Sequence, residues 1–261
     1  MLEVIDKGSC TKAHPAALLF VHGVGHGAWC WDEHFLDFFA DKGCRALAVS
    51  LRGHGGSSTS KPLRKCSIAD YIDDVDSVAE SLPTRPVVIG HSMGGFVVQK
   101  YLESHHAPAG VLVASFPPGG SAGMSLRRWK RHPWVSVRTI ITGKVLPGLN
   151  TPKLAREAFF CAHTPETEVV RCAGQLQEES PTALLETMFP NRLKPQRVTT
   201  PVLVLGAECD GGVAPNEVRA TARAYRTEAE FFPDMGHDMM LEPEWAAVAE
   251  RIHTWLGTHR L

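Results

Sequence analysis

The sequence predicts an α/β fold: a doubly wound, mostly parallel sheet with a helical cap inserted after the strand at 111–115. Three observations predict it. Short, continuous apolar runs recur at 17–21, 45–51, 86–89, 111–115 and 202–205, as expected of strands covered by helices on both faces. Segments of helical spacing alternate with these runs. The alternation then fails over one long stretch, between Phe116 and Pro195.

Glu3 to Lys7 adds an edge strand ahead of the first buried run, Ala17 to Val21. The loop after that run reads His22-Gly23-Val24-Gly25-His26-Gly27-Ala28-Trp29-Cys30-Trp31, and its glycines let the backbone turn sharply. Arg45 to Leu51 is the next strand. Ile68 to Leu82 then reads as a helix. Ile68, Ile72, Val75, Val78, Ala79 and Leu82 share one face, and Asp70, Asp73, Asp74 and Asp76 fall mostly opposite. The run from Pro86 to Ile89 ends in Gly90-His91-Ser92-Met93-Gly94-Gly95, and a helix-like segment, Phe96 to Glu103, follows. Glu217 to Tyr225 and Glu244 to Leu256 are helices after the last strands. Pro117-Pro118-Gly119-Gly120 closes the strand at 111–115, and the next strand starts near Pro201. The intervening stretch is longer than any ordinary connection. Residues 1–116 and 196–261 are therefore expected to form the core, and 117–195 a cap over the sheet's C-terminal edge, where such sheets bind ligands.

Composition excludes several classes. The chain has 261 residues, 44% of them hydrophobic, enough for one buried core. The formal net charge of −1 sets up no global field for nucleic acid or acidic partners. The N-terminus lacks the basic region and apolar core of a signal peptide, and no apolar run reaches membrane-spanning length. Seven cysteines stand at 10, 30, 44, 66, 161, 172 and 209. Their odd number and the lack of a CxxC point to a reduced, cytoplasmic protein. No HExxH occurs, and His105-His106 lacks partner ligands, so no metal or other cofactor is expected.

Two GxSxG patterns occur, around Ser92 and Ser121, where chance alone gives roughly 0.1. Context separates them. Ser92 sits between an uninterrupted strand and a helix, at a corner whose strained backbone requires small neighbours. Ser121 is cut off from its strand by Phe116-Pro117-Pro118 and reads as an irregular loop entering the cap. A serine hydroxyl needs a base. Among 13 histidines, His237 stands out. It follows a short strand-like stretch, in Phe231-Phe232-Pro233-Asp234-Met235-Gly236-His237, and precedes the last helix. The base needs an acid. Asp210 lies just past the strand 202–205, with Gly211 and Gly212 after it. Asp234, Asp238 and Glu208 are weaker rivals. The developing oxyanion needs backbone donors, and the amides of Val24 and Met93 are placed to supply them. A phosphate-binding reading of the glycine loop is discounted, because GxGxxG spacing and a Lys-Ser/Thr pair are missing.

These residues resemble the α/β-hydrolase family. From Ala16 to Leu256 the chain carries HGVGHGAWCW, LRGHGGSS, VVIGHSMGG, VLVLGAECDGGVAP and MGHDMMLEP in family order. The order Ser92, Asp210, His237 is the one this family uses. The resemblance implies hydrolysis through an acyl-enzyme. Serine at position 92 separates the chain from the epoxide hydrolases and haloalkane dehalogenases, which carry Asp there. The glycine loop is similar to that of the plant methylesterase and hydroxynitrile lyase branch. Those lyases carry Thr at Gly23 and Lys at Asp238, so ester cleavage is favoured over cyanohydrin cleavage.

The expected substrate is a small-molecule carboxylic ester of a small to medium apolar acid. His22, Gly23, Trp129, Trp134, Phe159 and Met188 are expected to face it. Phe160, Leu176, Leu184, Leu185 and Phe189 would line the pocket or pack the cap. Other readings use the same triad: lipid or lysophospholipid, thioester, lactone or carbon–carbon hydrolysis, or cofactor-free peroxidation. A hydroxynitrile lyase and a non-enzymatic small-molecule receptor are the remaining alternatives. The segment 124–145 carries Arg127, Arg128, Lys130, Arg131, Arg138 and Lys144 without an acid. It is read as a lid whose basic face is solvated and whose apolar side lines the pocket. Contact with a lipid surface is the lesser reading, and nucleic-acid binding is discounted.

Overall fold

The computed structural model describes residues 1–190 and 192–261. Seven strands form one sheet: β1 Glu3–Lys7, β2 Leu18–Val21, β3 Ala46–Ser50, β4 Val87–His91, β5 Gly110–Val113, β6 Val202–Ala207 and β7 Ala229–Phe232. Their spatial order is β1-β3-β2-β4-β5-β6-β7. β1 runs antiparallel to β3, and the other neighbours are parallel. The chain steps from β2 to β3 on one side and then returns to β4 on the other. The loops leaving β2 and β4 therefore diverge and open a crevice at the strands' C-terminal ends. Residues 22–31 and Ser92 meet there.

The helices are α1 Trp29–Asp32, α2 Phe35–Asp41, α3 Ile68–Glu80, α4 Met93–Tyr101, α5 Ala122–Arg131, α6 Pro133–Thr142, α7 Pro152–Phe159, α8 Glu166–Gln175, α9 Pro181–Thr187, α10 Pro215–Ala224 and α11 Trp245–Thr258. Five of them, α5 to α9, lie between β5 and β6. Strand alternation divides the core into two layers. Leu18 and Phe20 join Trp31, Phe35 and Phe39 on one face, and Leu19 and Val21 join Tyr71, Phe96 and Tyr101 on the other. Phe20 is fully buried, with its ring 4.9 Å from Trp31 and 5.6 Å from Phe39. Truncating such a ring to alanine costs about 3–5 kcal/mol. A capping box starts α3: Asp70 N–H donates to Ser67 Oγ at 3.3 Å, and Ser67 N–H donates to the Asp70 carboxylate at 2.7 Å.

Two local features differ from the sequence reading. α4 begins at Met93 rather than Phe96, taking in Gly94 and Gly95, which are poor helix formers. α1 and α2 fall in a region without an expected helix, because four- and seven-residue helices are too short to display a period. The basic segment is broken at Pro133, which occupies the first position of α6.

Candidate active site

Ser92 sits at the corner between β4 and α4 with φ 55° and ψ −120°. A serine held there is strained by about 1–3 kcal/mol. Its surroundings enforce the conformation. Ser92 N–H donates to the Val113 carbonyl at 3.1 Å, and its own carbonyl accepts from Phe96 and Phe116 at 3.3 and 3.1 Å. A Cβ on Gly90 would stand 2.7 Å from the Gly95 Cα, so the turn closes only over glycine.

The hydroxyl meets a histidine 145 residues further along the chain. Ser92 Oγ lies 2.8 Å from His237 Nε2, and His237 Nδ1 lies 2.8 Å from Asp210 Oδ2. The carboxylate accepts, so Nδ1 carries the proton and Nε2 can take one from the serine. Asp210 Oδ1 accepts the amides of Gly212 and Val213 at 2.7 and 2.8 Å, which aims Oδ2 at the ring. Burial opposes protonation of His237, but the charge and hydrogen bond of Asp210, with the charge of Asp238, outweigh it. The His237 pKa lies above its ordinary value. The rivals for the acid are placed elsewhere: Asp234 occupies a positive-φ turn, and Asp238 pairs with His26.

Among the described residues, no acceptor takes the Val24 or Met93 amide. Gly23 lies so close that a Cβ there would stand 2.8 Å from Ser92 Cβ and from His91 Nδ1. His22 does not face a substrate. Its ring is fully buried, Leu51 N–H donates to its Nε2 at 3.0 Å, and its Nδ1 donates to the Gly23 carbonyl at 2.8 Å. Burial, with the charge of neighbouring His54, lowers its pKa to about 3. His22 therefore shapes the loop as a neutral ring.

A model described as "Alpha/beta hydrolase family" matches residues 18–251. The chain belongs to the alpha/beta hydrolase family. This hydrolase is 24% identical over 257 residues to a protein named monoacylglycerol lipase from Mycolicibacterium smegmatis, covering 93% of this chain and 88% of that one. It is 32% identical over 165 residues to a protein of Oryza sativa subsp. indica named "Probable esterase PIR7A", covering 57% of this chain and 61% of the other. A thermophilic esterase from Thermogutta terrifontis shares its fold, with a TM-score of 0.78 at 21% identity over 100% of this chain and 94% of that one.

The hydrolase has a buried polar layer behind Ser92, His237 and Asp210 that sequence reasoning missed. His26 Nε2 and Asp238 Oδ2 pair at 3.0 Å, both fully buried, and Cys172 Sγ lies 3.9 Å from each. Burial works against both charges, but each partner outweighs it, raising the His26 pKa and lowering that of Asp238. His26, Cys172 and Asp238 stand close enough to share an ion. Two of them already satisfy one another as an ion pair, with His26 Nδ1 donating to the Val24 carbonyl at 2.8 Å.

Two more buried carboxylates tie the inserted helices to the site loops. Glu242 accepts from Gly236 N and Cys161 N, each at 2.7 Å. Glu179 accepts from Tyr71 Oη at 2.7 Å and from Gly25 N at 3.3 Å. His54 Nε2 stands 3.2 Å from Glu179 Oε2, close enough for charge attraction but not aligned for a hydrogen bond.

The residues expected to form a pocket divide. Phe159 packs with its ring 6.2 Å from His237 and 5.2 Å from His26. Met188 is half-buried after α9, with its carbonyl against Gly120. Trp134 is 83% exposed and Trp129 40%, so the structure turns both toward solvent rather than toward Ser92. Ser121 is bound within the insertion, with Oγ 2.9 Å from Thr187 Oγ1.

Proposed function

We propose that this alpha/beta hydrolase is a serine esterase, cleaving carboxylic esters of small to medium apolar acids beneath a cap formed by residues 117–195. The observation that carries the reading is the continuous run from Ser92 Oγ through His237 to Asp210, with both links at 2.8 Å. His237 takes the serine proton as Oγ attacks the carbonyl carbon. The Val24 and Met93 amides hold the oxyanion, and Asp210 stabilises the imidazolium. His237 then protonates the departing alcohol. Water, deprotonated by the same ring, releases the acid from Ser92.

The names of the relatives support ester hydrolysis, and Phe159 beside His237 favours an apolar acyl group. Lyase chemistry finds less support, since Gly23 leaves no space for a larger side chain beside Ser92 and Asp238 is bound to His26. Fluorophosphonate labelling with peptide mapping, beside a chain-length series of p-nitrophenyl esters, tests the reading. Modification of Ser92 and turnover that Ser92→Ala abolishes are expected. Labelling at Ser121, or cyanide release from mandelonitrile without ester turnover, would overturn it.

A further inference from the structure

Helices α5 and α6 turn one stripe toward the protein. Arg128 donates to the Gly148 carbonyl, His132 Nε2 lies 2.6 Å from Glu157 Oε2, and Val135 and Thr139 pack against Gly148. Arg128 marks the inner side of α5, and Val135 and Thr139, four positions apart, mark that of α6, so the opposite side of each helix looks outward. That face is apolar where a solvated helix is ordinarily polar. Leu126 is 55% exposed, Trp134 83%, Ile140 72% and Ile141 77%. The sequence reading placed the apolar side against the pocket, but much of it faces away.

Cations accompany these side chains. Lys130, Arg131, Arg138 and Lys144 are exposed, and among the described residues no carboxylate reaches them. Arg127, by contrast, is paired with Glu217 at 2.6 Å. No acid occurs from Phe116 to Arg156.

We propose that the outer face of α5 and α6 docks on the surface of an anionic phospholipid bilayer. The apolar side chains would enter the acyl boundary while the cations meet the phosphate headgroups. A second copy of the chain fits less well, because a two-fold contact sets the same uncompensated cations against themselves. The docking face is joined to the candidate site. Arg127 donates to the Gly212 carbonyl at 2.7 Å, and Gly212 N–H donates to Asp210 Oδ1 at 2.7 Å. A docked cap thus sets the triad next to the lipid phase.

Vesicle flotation tests the proposal, with phosphatidylcholine alone and with phosphatidylcholine doped with phosphatidylglycerol. The protein is expected to float with the doped vesicles at least about tenfold more readily, and less so at high salt. Ile140→Asp/Ile141→Asp should abolish flotation while leaving turnover of a soluble short-chain ester unchanged. Lys130→Glu/Arg138→Glu should weaken it about tenfold or more. Equal binding to both vesicles, no binding to either, or a dimer that Ile140→Asp/Ile141→Asp dissolves would overturn the proposal. Ester turnover is read separately, so its absence would count against the esterase reading without touching the docking.

Discussion

His91 Nε2 donates to the backbone carbonyl of His237 at 3.0 Å, and the two rings stand 4.7 Å apart. The residue before the candidate nucleophile thus holds the main chain of the candidate base. Burial, then the charges of the neighbouring imidazoles, lowers the His91 pKa to about 3, so the ring stays neutral. A neutral ring has one N–H, and it is committed to this carbonyl.

His91→Ala should therefore loosen His237 while leaving Ser92 in its turn. A base misplaced by a fraction of an ångström to an ångström loses about a hundredfold in kcat, with KM little changed. The orphaned carbonyl should cost about 1–3 kcal/mol of stability. Ester kinetics and urea unfolding measure both, and wild-type kcat in a folded variant would exclude the positioning role.

The pH profile follows from His237. Only the neutral ring can take the serine proton, and its pKa is raised, so activity should fall as pH drops through a value above 6.5. Asp210→Asn removes the main raising influence. The acid limb should then move to lower pH, and kcat should fall by up to about 10⁴-fold. A profile of kcat/KM for both proteins reads the shift, and an acid limb that stays in place would count against the pairing.

Asp238 and His26 should contribute to stability within a pH window. Asp238 has a lowered pKa, so its contribution is present above the ordinary 3.8 and is lost as pH falls through the folded value. His26 has a raised pKa, so its contribution is complete below the ordinary 6.5 and is lost as pH rises through the folded value. Both contributions are complete between those ordinary values. Asp238→Asn leaves a buried imidazole without its counter-charge, at a cost of about 3–5 kcal/mol. Denaturant midpoints across pH should show the largest gap between variant and wild type inside that window, and a gap independent of pH would refute the ion pair.

Gly23→Ala should impair the site by crowding alone, with no hydrogen-bonding group removed. The added methyl would stand 2.8 Å from Ser92 Cβ and His91 Nδ1, and backbone must shift to admit it. Overpacking of this kind costs about 1–3 kcal/mol. Fluorophosphonate labelling of the variant should slow by about a hundredfold, on the order of what one misplaced oxyanion donor costs. Unchanged labelling would mean that the loop at Gly23 does not bear on Ser92.

The sequence by itself determined the parallel sheet, because strands such as Leu18–Val21 are buried on both faces and must be apolar throughout. It also marked Ser92 for a strained turn, since Gly90, Gly94 and Gly95 surround it where larger residues would collide. Only the tertiary structure decided what the remaining polar residues do. His26, Asp238, Glu179 and Glu242 carry no local signal, because a buried charge is recognised by its partner, and the partners lie 108 or more positions away or, for Glu242, in Gly236 and the distant Cys161. The outward turn of Trp134 and Ile141 is likewise a tertiary fact. Helical spacing says which residues share a face, and only the neighbours packed on the opposite stripe say which face meets solvent.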